Sequence, residues 1–159
     1  ILENLSVAAN KGRPYGLKFA VPKKKNDRLY SAVAELGLGL EDKMDIPVGL
    51  LSGGQRQAIA LLMATMTPIS FLILDEHTAA LDPKTAEIIM KLTDRIVREK
   101  SLTAIMVTHN LRYAVEYGNR MLMLHHGDIV LERKAAAKTE TTVDDILSVF
   151  NEISIECGN

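Results

Sequence analysis

The chain has 159 residues, of which 47% are hydrophobic and 25% charged, and 19 basic side chains nearly balance 20 acidic ones. This is the composition of one soluble globular domain, and it excludes a disordered or collagen-like chain. The net charge of −1 gives no global attraction to nucleic acid or membrane, and the single cysteine excludes an internal disulfide framework. The lack of Trp and the 4% of aromatic residues argue against a stacking surface for single-stranded nucleic acid.

The first part of the chain predicts helices on either side of a basic segment. Leu2, Leu5 and Ala9 share one face of a helix over residues 1–10, and residues 26–36 have the spacing of an amphipathic helix that ends at glycine. Residues 11–28 between them carry seven Lys or Arg and one Asp. A solvated surface loop is the favoured interpretation of this basic segment, with a phosphate-binding patch as the alternative.

Residues 57–74 carry no charge and approach the length of a membrane-spanning helix. However, a proline and several polar residues interrupt the stretch near its middle. We therefore predict a buried helix through Met66, a turn at Thr67-Pro68, and a strand from Ile69 to Leu74 that is buried on both faces.

The remaining chain alternates strands and helices. Asp82-Pro83 predicts the start of a helix, and a second buried strand is expected from Leu102 to Val107. A helix from Leu111 to Tyr117, a hairpin and a last helix after Thr142 follow. The helix that starts at Asp82-Pro83 is expected to have an apolar stripe of Ile88, Ile89, Leu92 and Ile96. The turn of the hairpin is expected at His126-Gly127-Asp128. This order predicts an α/β core preceded by a helical subdomain.

Three strings carry residues that suit phosphate chemistry. In the first, Leu51 to Gln57, two glycines at the start of a helix leave backbone amides open to an anion, although a plain turn would look the same. In the second, Phe71 to Glu76, an apolar strand ends in two carboxylates, one suited to Mg²⁺ and one to a water; a solvated acidic turn is the alternative. In the third, His109 follows another strand and could contact a phosphate or be purely structural.

In this order, the strings resemble those of ABC-type ATPases, the ATP-binding-cassette family. Leu51 to Gln55 resembles the signature motif, and Phe71 to Glu76 resembles the Walker B strand with its catalytic glutamate. Ala80-Leu81-Asp82 resembles the D-loop, and His109, 34 residues after Asp75, resembles the switch histidine. The resemblance implies a P-loop NTPase fold of the α/β class. It places a helical subdomain with the signature motif at residues 1–66 and the carboxyl half of the RecA-like core at residues 67–159.

The resemblance also implies roles for these residues toward ATP and Mg²⁺. Asp75 would hold the Mg²⁺ shell, Glu76 would polarise the hydrolytic water and His109 would contact the γ-phosphate. Asp82 would lie at the interface of a head-to-tail dimer. The signature residues would face ATP bound to the partner subunit of that dimer; these residues are Ser52, Gly53, Gly54 and Gln55. His77 departs from the family, which usually has Pro or another small residue there, and we expect a variant turn residue and not a metal ligand. His125-His126 is expected at a hairpin edge.

The sequence contains no G-x-x-x-x-G-K-[ST] loop to wrap the phosphates, and the family's adenine-contacting aromatic residue and Q-loop glutamine are not found either. The chain also opens without Met. We therefore expect the carboxyl part of an ABC ATPase that lacks the Walker A loop, and we expect the 159 residues alone to bind Mg-ATP weakly or not at all.

The function that the resemblance implies is the ATP-hydrolysing subunit of an ABC transporter, a bacterial solute importer. Its partners would be a second ATPase subunit, identical or paired, transmembrane permease subunits and, indirectly, a solute-binding protein. It would be cytoplasmic, on the inner face of the cell membrane, and nucleic acid is not an expected partner. The alternative is a soluble ABC-type ATPase of the chromosome, repair or translation-factor kind. Chromosome and repair members would need a long heptad coiled coil before the signature, where this chain has its basic segment.

Overall fold

The computed structural model describes residues 1–12 and 27–156, which form two compact units, Ile1–Ile105 and Met106–Asn159. The helices are α1 (Leu2–Ala9), α2 (Asp27–Ala34), α3 (Gly53–Thr65), α4 (Pro83–Glu99), α5 (Leu111–Glu116), α6 (Ala135–Glu140) and α7 (Val143–Glu156). The strands are β1 (Phe71–Asp75), β2 (Thr103–Val107), β3 (Arg120–His125) and β4 (Asp128–Lys134). Two short 3₁₀ turns, Glu41–Lys43 and Val48–Leu50, precede α3. Among the described residues, no helix is both long and apolar enough to cross a membrane.

The core of the first unit lies between helices. α3 is the central one, since it contacts α1, α2 and α4. The largest fully buried side chains come from all four of these helices and from the loop after α2: Leu5, Val33, Leu40, Ile59, Ile89 and Met90. The predicted helices at residues 1–10 and 26–36 are confirmed, whereas most of the basic segment 11–28 lies outside the described residues.

The uncharged stretch over residues 57–74 is a helix, a turn and a strand, as predicted. α3 ends at Thr65, whose hydroxyl donates to the carbonyl of Leu61 at 2.9 Å. The Nζ of Lys100, just after α4, donates to the Thr65 carbonyl at 2.6 Å. This cation at the carboxyl end of α3 satisfies a backbone oxygen that the helix leaves unpaired, and it fixes the point from which the chain turns into β1.

The strands β1 and β2 form a two-stranded sheet connected through α4, the strand–helix–strand connection that parallel pairs use. The prediction that both strands are buried was wrong. In β1 burial alternates, with Leu72 and Leu74 buried while Phe71 and Ile73 are 47% and 66% exposed, and β2 is largely exposed. Along β1 the period of two places Leu72 and Leu74 on a covered face and Phe71 and Ile73 on an uncovered one, whereas in β2 neither face is buried in the described chain.

α4 begins where Asp82-Pro83 predicted, with Asp82 as its N-cap. Its apolar stripe differs from the prediction at one position, because Ile88 is 45% exposed while Ile89 is 1% exposed. The buried side of α4 instead includes Met90 and Thr93. At about 100° per residue, the buried side chains occupy one arc of the helix that runs from Leu92 through Ile89 to Met90, and Ile88 lies outside this arc.

The second unit contains the confirmed hairpin β3–β4, which packs with α5, α6 and α7. The two strands pair antiparallel, and the turn residues His126 and Gly127 both have positive φ, 49° and 92°, as in a type I′ hairpin turn. His125 and His126 lie at this hairpin end, with ring centroids 4.1 Å apart. Met121, Leu131 and Ile146 form the buried cluster of this unit.

The last helix, α7, is capped as predicted, since Thr142 and Asp145 exchange backbone-to-side-chain hydrogen bonds of 2.8 and 3.2 Å. α6 was not predicted, because its Ala-rich sequence has no apolar stripe. Its Lys138 is buried and donates to the carbonyl of Val115, and burial lowers the pKa of Lys138. The predicted boundary between residues 66 and 67 stays a prediction, as it refers to subdomains of the family and not to these two units.

The neighbours Ile88 and Ile89 offer a matched test of the packing of α4. We expect Ile89→Ala to lower the free energy of unfolding by about 2–5 kcal/mol, since it leaves a cavity among α3 and α4 side chains. Ile88→Ala removes the same atoms from an exposed position and should change the free energy of unfolding by about 0.5 kcal/mol or less. Urea unfolding followed by circular dichroism measures both, and equal effects of the two changes would contradict the packing described.

Candidate functional site

The site begins at the amino end of α3, where Ser52 is the N-cap. The Oγ of Ser52 accepts from the backbone N–H of Gln55 at 3.3 Å, and the Oε1 of Gln55 accepts from the backbone N–H of Ser52 at 3.2 Å. This reciprocal pair is a capping box, which explains why the helix starts at Gly53. The serine and glutamine of the predicted phosphate string therefore have a structural role as well.

The capping box determines which groups remain for a ligand. Its two side-chain oxygens are used as acceptors, so the Ser52 hydroxyl hydrogen and the Gln55 amide hydrogens remain as donors. The backbone N–H groups of Gly53 and Gly54 lie in the first turn, where the helix has no carbonyl for them. Donors at the positive end of a helix of 13 residues suit an anionic group such as a phosphate.

The two glycines also let α3 approach the start of α4. A Cβ on Gly54 would lie 2.2 Å from the Cγ2 of Thr85, and a Cβ on Gly53 would lie 3.0 Å from the Cδ2 of Leu81. Gly54 is buried while Gly53 is exposed. Gly54 is therefore required by the packing of the two helix starts, which the sequence alone did not reveal.

The acidic pair lies at the carboxyl end of β1, where the sequence placed it. Asp75 is the last residue of the strand, and both carboxylates are exposed. Glu76 has φ of 42°, in the left-handed region that a residue with a Cβ seldom adopts. Its carbonyl accepts from the N–H of Ala79 at 2.9 Å, so the chain turns sharply away from the strand direction at Glu76.

The turn after Glu76 leads into α4 through Asp82. The N–H of Leu81 donates to the carbonyl of Thr78 at 3.1 Å, and the N–H of Thr85 donates to Oδ1 of Asp82 at 3.0 Å. Hydrogen bonds from the side chain and the backbone of Thr85 lower the pKa of Asp82, so this carboxylate is ionised at the amino end of α4. Thr85 thus contacts both the predicted D-loop residue and Gly54 of the signature string.

The acidic pair and the start of α3 line the same cleft. Its volume is about 590 Å³, and Gly53, Asp75, Glu76, His77 and Leu81 are among the residues around it. The juxtaposition brings together, within one unit, two strings that lie about twenty residues apart in the sequence.

These residues fit a magnesium nucleotide by the chemistry of their side chains. Mg²⁺ keeps several waters and is typically held by one or two carboxylates together with substrate phosphates. A single strand-end carboxylate such as Asp75 can supply the protein's share of these ligands. Over residues 1–12 and 27–156, no group of three or more His, Cys, Asp or Glu side chains is placed to hold a metal ion.

His77 lies in the turn, as expected, but it is not a solvated turn residue. Its Nε2 lies 3.2 Å from the Oγ1 of Thr93 in α4, and burial lowers the pKa of the ring. The neutral imidazole is therefore the favoured form of His77.

His109 belongs to the second unit. It follows β2, is exposed, and directly precedes Asn110, whose Oδ1 accepts from the N–H of Tyr113 at 3.3 Å and caps α5. The proposed contact of His109 with a γ-phosphate stays a prediction.

Thr85 and Thr93 are the site residues that sequence reasoning missed. The spacing of Asp82 to Thr85 matches a helix N-cap and its third residue, and this signal could have pointed to Thr85. No comparable signal marked Thr93, since its partner His77 lies 16 residues away.

Comparison with known proteins gives a consistent family. Residues 1–79 match the sequence profile of the family described as "ABC transporter". The chain is 48% identical over 150 residues to a tyrosine transport ATP-binding protein of Clostridioides difficile, in a match that covers 94% of this chain and 59% of that protein. It is 35% identical over 144 residues to a methionine import ATP-binding protein of Bacillus cereus, covering 87% of this chain and 42% of the relative. The chain thus spans less than two thirds of the length of these relatives.

Solved structures agree on the fold. An ATP-binding cassette of an ABC transporter in its ADP conformation superposes with a TM-score of 0.71 at 23% identity, covering 99% of this chain and 62% of that one. A dimeric ATP-binding cassette in a post-hydrolysis state, bound to ADP and Pi, matches with a TM-score of 0.65 at 28% identity and covers 84% of this chain and 55% of that one. The predicted P-loop NTPase fold of the ABC type is confirmed.

The contact between Gly54 and Thr85 is testable with a compensating change. We expect Gly54→Ala to lower the free energy of unfolding by about 1–3 kcal/mol, because the new Cβ overlaps the Thr85 methyl group. Thr85→Ser removes that methyl and keeps the hydroxyl, so it should restore most of the loss in the double variant. Gly53→Ala is the matched control, since it meets only the tip of Leu81. If urea unfolding gives equal losses for both glycines and no restoration, the close approach is not the reason for Gly54.

Proposed function

The chain belongs to the ABC transporter ATP-binding family, and on that premise we propose that the whole protein binds and hydrolyses Mg-ATP to drive an ABC importer. The observation that carries the proposal is the pair of exposed carboxylates at the end of β1, which lines one cleft with the start of the signature helix α3. Strand ends of this kind are where ligands bind in open α/β folds.

We assign each residue of the pair a separate role. Asp75 would hold Mg²⁺ through its carboxylate, and the metal, when bound, would neutralise charge on the β- and γ-phosphates. Glu76 would accept a hydrogen bond from the attacking water and orient it. Its left-handed backbone supports this division of roles, because it turns the glutamate away from the direction of the strand that carries Asp75. His109 would add a hydrogen bond to the γ-phosphate.

The signature residues would act on a second nucleotide. We propose that Ser52, Gly53, Gly54 and Gln55 contact ATP bound to a partner ATPase subunit, with Asp82 at the seam. The donors left by the capping box support this, since they point to an anionic ligand at the amino end of α3. One relative of solved structure is described as a dimeric cassette, which agrees with a paired arrangement.

The proposed partners beyond the ATPase pair are permease subunits in the membrane and, through them, a solute-binding protein. The named relatives are transport or import ATP-binding proteins for tyrosine and methionine, which favours import as the direction. The transported solute would be selected by the permease and the binding protein and not by this chain. The protein would accordingly work at the cytoplasmic face of the membrane.

The alternative of a soluble chromosome, repair or translation-type ATPase has no supporting observation. The relatives named above are transport proteins, and most of the basic segment 11–28 lies outside the described residues.

Glu76→Gln tests the proposed chemistry in the full-length protein. We expect the rate of ATP hydrolysis to fall by roughly 10²–10⁴-fold, the contribution usual for a positioned general base, while ATP still binds. Steady-state phosphate release and nucleotide retention measure the two properties. Glu99→Gln, an exposed change at the end of α4, is the matched control and should leave both unchanged. Wild-type turnover in Glu76→Gln would show that Glu76 is not the base.

The paired arrangement has a test of its own. In Glu76→Gln full-length protein, Mg-ATP should double the mass seen in sedimentation, because unhydrolysed nucleotide holds the two signature helices. Adding Gly53→Asp should abolish this dimer, since an acidic residue is favourable in the first turn of a helix yet repels a phosphate there. A dimer that persists with Gly53→Asp would contradict the assigned role of the α3 amino end.

A further inference from the structure

His77 stands directly after Glu76, at a position where the ABC-type family usually has Pro or another small residue. It is half-buried, and its ring reaches from the turn to α4. The function proposed above leaves it without a role, although it is the immediate neighbour of the residue assigned as the base.

The hydrogen bond between His77 and Thr93 has a defined direction. Thr93 is 4% exposed, and its hydroxyl donates to the carbonyl of Ile89 at 2.8 Å. Because a hydroxyl has one hydrogen, its oxygen can only accept from the imidazole, 3.2 Å away. This arrangement assigns the hydrogen of the bond to Nε2.

This bond ties the turn to a rigid element. α4 has 17 residues and is anchored in the core by Ile89 and Met90 at the level of the bond. Within the turn, short-range backbone bonds run from the N–H of Ala79 to the carbonyl of Glu76 and from the N–H of Leu81 to the carbonyl of Thr78. The side chain of His77 adds a bond that spans 16 residues of sequence.

The neighbouring backbone needs such a restraint. Glu76 has φ of 42°, a conformation that persists in a residue with a Cβ only when the surroundings hold it. A proline at position 77 would restrict the chain through its ring, whereas histidine restricts it through a partner in α4.

We propose that His77 is a positioning residue: its Nε2–H bond to Thr93 holds Glu76 in the left-handed conformation that aims the carboxylate at the water. The proposal rests on the proposed function for the role of Glu76, but the tether itself is a property of the fold. The two parts can be tested separately.

Thr93→Val and Thr93→Ser form the test pair in the full-length protein. Valine has nearly the shape of threonine but no acceptor, whereas serine keeps the hydroxyl. We expect Thr93→Val to lower kcat for ATP about tenfold or more, with KM within about twofold, because misplacement of a catalytic group affects the chemical step more than binding. Thr93→Ser should stay within about twofold of the wild type in kcat. Equal kcat values for the two variants would overturn the positioning role.

A second measurement needs no ATPase activity. Nitrogen-15 NMR of the His77 ring should show the proton on Nε2, and hydrogen exchange at the Ala79 and Leu81 amides should be about tenfold faster in Thr93→Val than in Thr93→Ser. A proton on Nδ1, or equal exchange, would overturn the tether. If Thr93→Val does not fold, His77→Leu replaces it, with His77→Gln as the variant that keeps a donor. Absence of ATP hydrolysis by the wild type, with the tether present, would count against the proposed function alone.

Discussion

The close approach of Gly54 to Thr85 is the contact on which the site depends. It brings the amino ends of α3 and α4 together, and Thr85, which approaches Gly54, also donates its backbone N–H to the Asp82 cap. A side chain at residue 54 would separate them, since its Cβ would lie 2.2 Å from a methyl group. The glycine pair therefore combines two requirements, an open backbone for a phosphate and a packed joint between helices.

Around this joint, four polar residues of the site are oriented by neighbouring groups. The capping box orients Ser52 and Gln55, Thr85 orients Asp82, and the turn after β1 orients Glu76. Preorganised donors and carboxylates of this kind lower the cost of rearrangement when charge develops in a reaction. This property suits phosphoryl transfer, in which the protein mainly positions groups and stabilises charge.

Much of this could be predicted from local patterns. The helix starts at Gly53 and Pro83, the hairpin turn at His126-Gly127 and the strand-end acids all follow from capping, turn and period rules acting over a few residues. Apart from α6, the main failures were non-local. Burial of β1 and β2 depends on what covers each face, the Gly54–Thr85 contact depends on helix packing, and the bond from His77 to Thr93 joins residues that no sequence period relates.

The central claim is that the acidic pair at the end of β1 belongs to a metal-dependent ATP site. The most direct test is steady-state phosphate release from ATP by the purified full-length protein, with Mg²⁺ present and then removed by EDTA. If Asp75 binds a metal that arrives with the nucleotide, hydrolysis will occur with Mg²⁺, stop with EDTA and return when Mg²⁺ is restored. Hydrolysis that continues unchanged in EDTA, or no hydrolysis with Mg²⁺, would contradict it.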